Sequence, residues 1–247
     1  MEMSTPGDPG PEDPVGRRSE WPATWRPVEA VPVFVIAIMA TALLALPLTL
    51  VTSSCSARFI IGNLIGELAF LVTVLAWVRF VNRGPLKALG APSRPVLDVG
   101  AGLVTGLLLV LASAAVLAVS RDVARALLGH PPPEPQQVAT CVRGLGLRLL
   151  GPVVVLAAPL GEETFFRGFL YGALRRRWSA PAAAIASGLM FGLVHLSGPD
   201  FLLLVPALVV VGVGLALVYE RRRSLVAPMV AHALFNLVGY VVIVSAR

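Results

Sequence analysis

Residues 156–174 of this chain read LAAPLGEETFFRGFLYGAL, an apolar run with ionisable side chains at its centre. The run is long enough to cross the hydrocarbon core of a bilayer, which needs about 20 apolar residues in a helix. Glu162, Glu163 and Arg167 nevertheless lie in its middle. An ionised side chain at bilayer depth costs about 2.5–3.5 kcal/mol even on lenient insertion scales. Each of these groups therefore needs a partner within the protein.

The composition of the whole chain is that of a polytopic membrane protein. Of its 247 residues, 56% are hydrophobic and 14% are charged, and the mean hydropathy is +0.81. Soluble domains contain about 25% charged residues. Seven apolar runs have close to the length of a spanning helix: 31–51, 59–78, 99–119, 149–174, 180–196, 201–219 and 224–244. The sequence predicts an all-α integral membrane bundle of about seven transmembrane helices, located in the cell membrane as a multi-pass protein.

The net charge of +6 does not indicate a protein that binds nucleic acid. The arginines form no patch with interleaved aromatic residues and lie instead at the ends of the apolar runs. Basic residues favour the cytoplasmic side of a membrane. A cytoplasmic N-terminus places most of the 20 lysines and arginines on that side, and we therefore expect that orientation. The lipid bilayer is the first expected partner of the chain.

The N-terminal segment differs from the rest of the chain. Residues 1–27 are rich in proline, glycine and acidic residues, which predicts a disordered tail. We expect residues 28–247 to form one integral membrane domain, because no soluble segment of domain size interrupts the runs. Cys55 and Cys141 fit neither a zinc nor a redox spacing. Two unpaired cysteines are the simpler expectation, and a disulfide between them on the outer side is the alternative.

Few ionisable residues lie inside the spans: Glu67, Glu162, Glu163, Arg167, His195 and His232. On a helix, Glu163 and Arg167 are four residues apart on one face, with the glutamate on the N-terminal side, which favours an ion pair. Glu162 is rotated by about 100° and has no partner on its own helix. Pro159 cannot donate a backbone hydrogen bond and should loosen the helix just before Glu162. We expect Glu162 to be available as a general base.

Two later spans contribute further polar side chains. Phe191 and His195 are four residues apart, as are His232 and Asn236, so each pair shares one helical face. An imidazole and a carboxamide on one face can converge on a single oxygen atom. Any one of these residues alone is more often a packing or interhelical hydrogen-bonding group. Together with Glu162, they favour one shared polar site.

Three short motifs resemble the signature of a known family. EETFFR matches its EExxxR motif, the pair Phe191 and His195 matches FxxxH, and the pair His232 and Asn236 matches HxxxN. The order and spacing of the motifs also agree, over about residues 148–240. The chain is therefore similar to the CPBP family, which comprises the type II CAAX prenyl endopeptidases and bacterial relatives in bacteriocin self-immunity and processing.

The resemblance implies a metal-independent intramembrane endopeptidase of the glutamic type. This is a hydrolase without a cofactor that cleaves a peptide or a membrane-protein substrate. Glu162 would act as the general base and share the activation of a water molecule with His195. His232 and Asn236 would donate hydrogen bonds to the tetrahedral oxyanion. The resemblance leaves supporting positions to the other motif residues: Glu163, Arg167 and Phe191.

Three other interpretations stay open at this point. One glutamate and two histidines are a ligand set that zinc accepts, although the sequence contains no HExxH motif. A non-proteolytic accessory or immunity protein could keep the same fold, although all the signature residues are present. A proton-coupled transporter also uses buried glutamate and histidine, but the chain shows no second set of broken helices of the kind that inverted repeats require.

Overall fold

The computed structural model describes residues 21–92, 94–129, 142–196 and 201–245, and every regular element in these ranges is helical. Besides a short 3₁₀ turn at Leu86–Leu89, the helices form seven long segments: α1 (Pro27–Val51), α2 (Cys55–Val81), α3 (Pro95–Leu128), α4 (Leu145–Arg175), α5 (Ala180–Val194), α6 (Val205–Arg222) and α7 (Val226–Ser245). By length and composition, α1 to α4 and α7 can cross a membrane, and α5 is a shorter apolar helix. The predicted all-α bundle of about seven helices is confirmed.

The outward faces of the helices are apolar. Leu43, Leu50, Val104 and Leu127 are each more than 60% exposed, and many other leucine and valine side chains point outwards as well. Soluble monomers rarely expose contiguous apolar patches larger than a few hundred Å². Hydrocarbon is the solvent that suits this surface, so the chain is a multi-pass membrane protein.

Segments that the predicted spans place on the same side of the membrane contact one another at one end of the bundle. Arg176, after α4, donates hydrogen bonds to the backbone oxygens of Thr24 and Trp25, before α1. Arg222, at the end of α6, pairs with Asp98 in the first turn of α3 at 2.7 Å. In each case four helices lie between the two contacting ends, and an even number of crossings returns the chain to the same side of the membrane.

Tryptophan side chains attach the segment before α1 to the bundle. Trp21 and Trp25 are buried, and Trp25 Nε1 donates a 2.8 Å hydrogen bond to the carbonyl oxygen of Phe169. The Trp25 and Phe169 rings also stack, with centroids 5.1 Å apart. Residues 21–27, which composition placed in the tail, therefore pack with the folded domain. Residues 1–20 lie outside the described residues.

One end of a disulfide lies at the start of α2. Cys55 is disulfide-bonded, which corrects the expectation of two unpaired cysteines. Cys141, the other cysteine of the sequence, lies outside the described residues. Spacing alone could not reveal the bond, because pairing depends on how the helices bring distant segments together.

Glycines allow α3 to pack closely against α7. A Cβ atom on Gly102 would lie 2.7 Å from the carbonyl oxygen of Ala227, and one on Gly106 would lie 2.8 Å from that of Ala231. Small residues permit such close approach between membrane helices. The second contact holds the turn of α7 that carries His232 and so helps to position the polar site.

We expect Gly102→Ala to lower the midpoint of thermal unfolding of the detergent-purified protein, because the added methyl group overlaps a backbone oxygen. Overpacking of this kind costs about 1–3 kcal/mol. Gly100→Ala is the matched control, since no atom lies within 4 Å of its added Cβ. Alanine is a better helix former than glycine, so the control should melt at or above the wild-type temperature. Equal melting temperatures for the two variants would contradict the packing role of Gly102.

Candidate active site

Helix α4 contains two wider turns around the EETFFR motif. It is α-helical at Leu145–Pro152, Ala158–Glu163 and Gly172–Arg175, and π-helical at Val153–Ala157 and Thr164–Tyr171. The predicted loosening before Glu162 is confirmed as the first π-helical stretch. Such stretches are rare and occur frequently at functional sites.

The absence of an N–H group on Pro159 creates a contact with α7. In the first π-helical stretch, the N–H of Ala158 donates to the carbonyl oxygen of Val153, five residues earlier. The next donor in this register would be residue 159, which is a proline and has none. The Val154 carbonyl instead accepts a 2.7 Å hydrogen bond from Asn236 Nδ2. Asn236 therefore holds α7 against the loosened part of α4.

Glu163 and Arg167 form the predicted ion pair. Arg167 Nη1 donates to Glu163 Oε1 at 2.8 Å, and both side chains are fully buried. Arg167 Nη2 donates to the carbonyl oxygen of Gly212 in α6 at 3.0 Å. Its guanidinium carbon also lies 4.7 Å from the centre of the Phe191 ring, in α5, a cation–π distance. The ion pair thus joins α4 to two neighbouring helices.

The same carboxylate orients His232. His232 Nδ1 lies 2.8 Å from Glu163 Oε1, the oxygen that also accepts from Arg167. An ionised carboxylate can only accept hydrogen bonds, so Nδ1 of His232 carries the proton. The other ring nitrogen, Nε2, faces Glu162 Oε2 at 3.9 Å. Glu163 therefore sets both the tautomer and the direction of this imidazole.

His195 is oriented in a similar way from α5. Its Nδ1 donates a 2.7 Å hydrogen bond to the carbonyl oxygen of Phe191, and the two rings lie 4.8 Å apart. A carbonyl oxygen has no proton to give, so Nδ1 of His195 is protonated. Its Nε2 faces Glu162 Oε1 at 3.9 Å. The FxxxH spacing therefore provides both the acceptor and the ring that hold the histidine.

Glu162 lies between these two imidazoles, which come from different helices. Each of its oxygens faces one Nε2 atom at 3.9 Å, too far for a direct hydrogen bond but within reach of one bridging water molecule. Its side chain is 18% exposed, whereas that of Glu163 is fully buried. The fold gives two adjacent glutamates different environments, with Glu163 enclosed in an ion pair and Glu162 accessible.

Two cavities meet beside Glu162 and His195. A cavity of about 310 Å³ is bounded by α2, α4, α5 and α7, and one of about 160 Å³ by α1, α2, α4 and α5. The smaller cavity is lined mainly by apolar side chains: Phe34, Ile38, Phe70, Phe166 and Val194. Glu67, from α2, lines both cavities. Sequence motifs did not assign Glu67 to this site, and its only signal was a charged residue within an apolar run.

The structure brings most of the predicted site residues together. Glu162, His195 and His232 face one another, and Asn236 lines the larger cavity with Glu162 and His195. One N–H group of the Asn236 amide is already bonded to Val154, so only the other is available to a substrate. Among the described residues, no group of three or more His, Cys, Asp or Glu side chains is arranged to hold a metal ion.

The comparison with known families finds one match, over the helices that carry the three motifs. Residues 144–238 match the sequence model of the family described as Type II CAAX prenyl endopeptidase Rce1-like. This match over 95 of the 247 residues supports the resemblance of the segment to the CPBP family. It is a family of proteases, and its match spans all three motifs while α1, α2 and α3 lie outside it. No curated protein and no solved structure matches the chain.

We expect Arg167→Met to lower the free energy of unfolding by about 3–5 kcal/mol, because it leaves the Glu163 carboxylate buried without its cation. The measurement is unfolding of the purified protein in detergent, followed by circular dichroism. The double variant Glu163→Gln/Arg167→Met removes both charges and should be more stable than Arg167→Met alone. A single variant that unfolds like the wild type would contradict the structural role of the ion pair.

Proposed function

We propose that this protein is an intramembrane endopeptidase of the glutamic type, which hydrolyses a peptide bond with a water molecule activated by Glu162 and His195. The observation that carries the proposal is the position of the Glu162 carboxylate between two imidazole Nε2 atoms, at 3.9 Å from each. The match of residues 144–238 to a protease family supports the reaction class. The nucleophile is water, since no serine or cysteine lies among these facing groups.

The tautomers of the site suit it to hold a water molecule. Neutral His195 has its proton on Nδ1, so its Nε2 is an acceptor, and the ionised Glu162 carboxylate is also an acceptor. A water molecule between them can donate one hydrogen bond to each, which leaves an oxygen lone pair free. Glu162 then removes a proton as that oxygen bonds to the substrate carbonyl carbon.

His232 and Asn236 supply hydrogen bonds to the oxyanion that results. The bond from His232 Nδ1 to Glu163 turns Nε2 towards the space beside Glu162, and a proton on Nε2 makes it a donor to the oxyanion. The remaining N–H of Asn236 is the second donor. Removal of one oxyanion donor typically raises the barrier by about 2.7–4 kcal/mol. Collapse of the intermediate breaks the C–N bond, and the proton held by Glu162 passes to the leaving amine.

The lining of the two cavities suits a peptide segment of a membrane-associated protein as the substrate. The smaller cavity places aromatic and aliphatic side chains next to Glu162, so it suits a bulky apolar group beside the scissile bond. The larger cavity adds polar side chains, including Asn63, Asn236 and Tyr240, which can bond to a peptide backbone. An extended substrate can therefore pass from one cavity to the other across Glu162.

We expect Glu162→Gln to abolish peptide cleavage while thermal stability stays near wild type, because this carboxylate has no close ion-pair partner on its own helix. Cleavage is measured with the purified protein in detergent and by comparing the membrane proteomes of cells that carry each form. EDTA and o-phenanthroline should leave wild-type cleavage intact, since side chains alone are assigned to activate the water.

The adjacent residue provides the matched control. Glu163→Gln makes the same chemical change one position later, and we expect it to lower stability because Arg167 loses its anion. A folded Glu162→Gln protein with full cleavage activity would overturn the proposed mechanism. Chelator inhibition that added zinc reverses would favour the metal alternative, and a folded wild-type protein that cleaves no peptide would favour an accessory protein or a transporter.

We also propose that the N-terminus lies in the cytoplasm, because basic residues cluster at the end of the bundle where the N-terminal segment packs. The start of α2, with Cys55, then faces outwards, in a compartment that permits disulfides. This orientation assigns the loop between α2 and α3, which contains Lys87, to the cytoplasmic side.

A membrane-impermeant maleimide should therefore label Cys55 and Cys141 in intact cells after mild reduction. Cys55 is exposed in the structure, so the reagent can reach it once the disulfide is open. The control is a Lys87→Cys variant, whose exposed side chain lies at the opposite end and should react only after lysis. The reverse labelling pattern would place the N-terminus outside.

A further inference from the structure

Glu67 is a buried acid of the site that the three motifs do not include. It lies in the middle of α2, and its Oε2 atom is buried without a hydrogen-bond partner among the described residues. A Cβ atom on Gly161 would lie 2.7 Å from that oxygen and 2.6 Å from the Glu67 backbone oxygen. Gly161 immediately precedes Glu162. Because it has no side chain, Glu67 fits directly against this turn of α4.

Glu67 and Glu162 share the same two cavities. Both carboxyl groups line both cavities together with His195, and the two carboxylates repel each other when both are ionised. Among the described residues, no lysine or arginine lines either cavity. Two like charges in an apolar site destabilise each other strongly, and such pairs usually keep one proton between them.

The neighbouring groups decide which carboxyl group carries that proton. Glu162 is attracted by the Arg167 guanidinium and faces the imidazoles of His195 and His232, all of which favour its ionised form. Glu162 and His195 line both cavities with Glu67, Tyr240 lines the larger one, and α1 contributes only the apolar side chains Phe34 and Ile38. Glu162 therefore has the stronger support for a negative charge.

We infer that Glu67 and Glu162 form a carboxyl pair with one shared proton, carried by Glu67, and that neutral Glu67 is a positioning residue that keeps Glu162 ionised as the base. This inference rests on the proposed protease function for its catalytic consequence, but not for the existence of the pair. Loss of the proton from Glu67 at alkaline pH would place two negative charges in the site, repel the electron-rich intermediate and reduce cleavage.

The catalytic consequence is tested by the pH dependence of kcat for the wild type and for Glu67→Gln. Glutamine stays neutral at every pH, so the alkaline decline in activity should move upwards by about one pH unit or more, or disappear. A decline that stays at the wild-type pH would belong to another group, such as His232, and would overturn this role of Glu67. Leu68→Ala, at the next position of α2, is the matched control: its side chain is 47% exposed and lines neither cavity, so it should keep the wild-type decline.

The pair itself is tested without reference to activity, by infrared difference spectroscopy of the purified full-length protein. At neutral pH the wild type should show the carbonyl stretch of a protonated carboxyl group, and Glu67→Gln should lack it. In Glu162→Gln the repulsion between the two carboxylates is removed. The band should therefore be weaker at neutral pH than in the wild type, and it should disappear at a lower pH as the pH is raised. The assignment would be overturned if the wild type lacked the band. It would also be overturned if Glu67→Gln kept the band unchanged while Glu162→Gln lost it.

The two measurements separate the possible failures. If Glu162→Gln cleaves normally but the infrared band is lost in Glu67→Gln, the protease mechanism fails and the carboxyl pair stands. If Glu162→Gln is inactive but Glu67→Gln changes neither the infrared band nor the alkaline decline in activity, the mechanism stands and the pair fails. If Glu67→Gln does not fold, the wild-type and Glu162→Gln spectra still decide whether a carboxyl group in this site holds a proton.

Discussion

The whole site depends on one buried carboxylate oxygen. Glu163 Oε1 accepts hydrogen bonds from Arg167 and His232 at 2.8 Å each, and therefore connects α4 to α7 at a depth where water is scarce. Arg167 extends the connection to the backbone of α6 and to the ring of Phe191 in α5. The need to neutralise one charge in a low-dielectric interior thus determines how four helices are placed relative to one another.

This arrangement explains how two adjacent glutamates come to have different environments. Successive residues on a helix point about 100° apart, so enclosing Glu163 in the ion pair directs Glu162 away from it and towards the cavities. Pro159 loosens the turn before them, and Asn236 bonds to the Val154 carbonyl that the proline leaves without a helical donor. The irregular part of α4 is thereby held in place by α7, the helix that also supplies His232.

The helices outside the family match contribute to the same site. α2 places Glu67 against Gly161, and α1 supplies Phe34 and Ile38 to the smaller cavity. The surroundings of Glu162 are therefore completed by parts of the chain that carry no motif. The three motifs thus lie in one segment of the chain, while the neighbouring apolar helices shape the cavities beside it.

The sequence by itself determined the class of the fold, the approximate positions of the seven helices and the Glu163–Arg167 pair. These features follow from local rules: apolar length sets a spanning helix, and a spacing of four residues sets a shared face. Only the tertiary structure decided that His232 bonds to Glu163, that Asn236 bonds to Val154, that Trp21 and Trp25 belong to the folded domain and that Glu67 lies beside Glu162. Each of these contacts joins residues far apart in the chain, and helical periodicity specifies which face a side chain occupies but not which helix packs against that face.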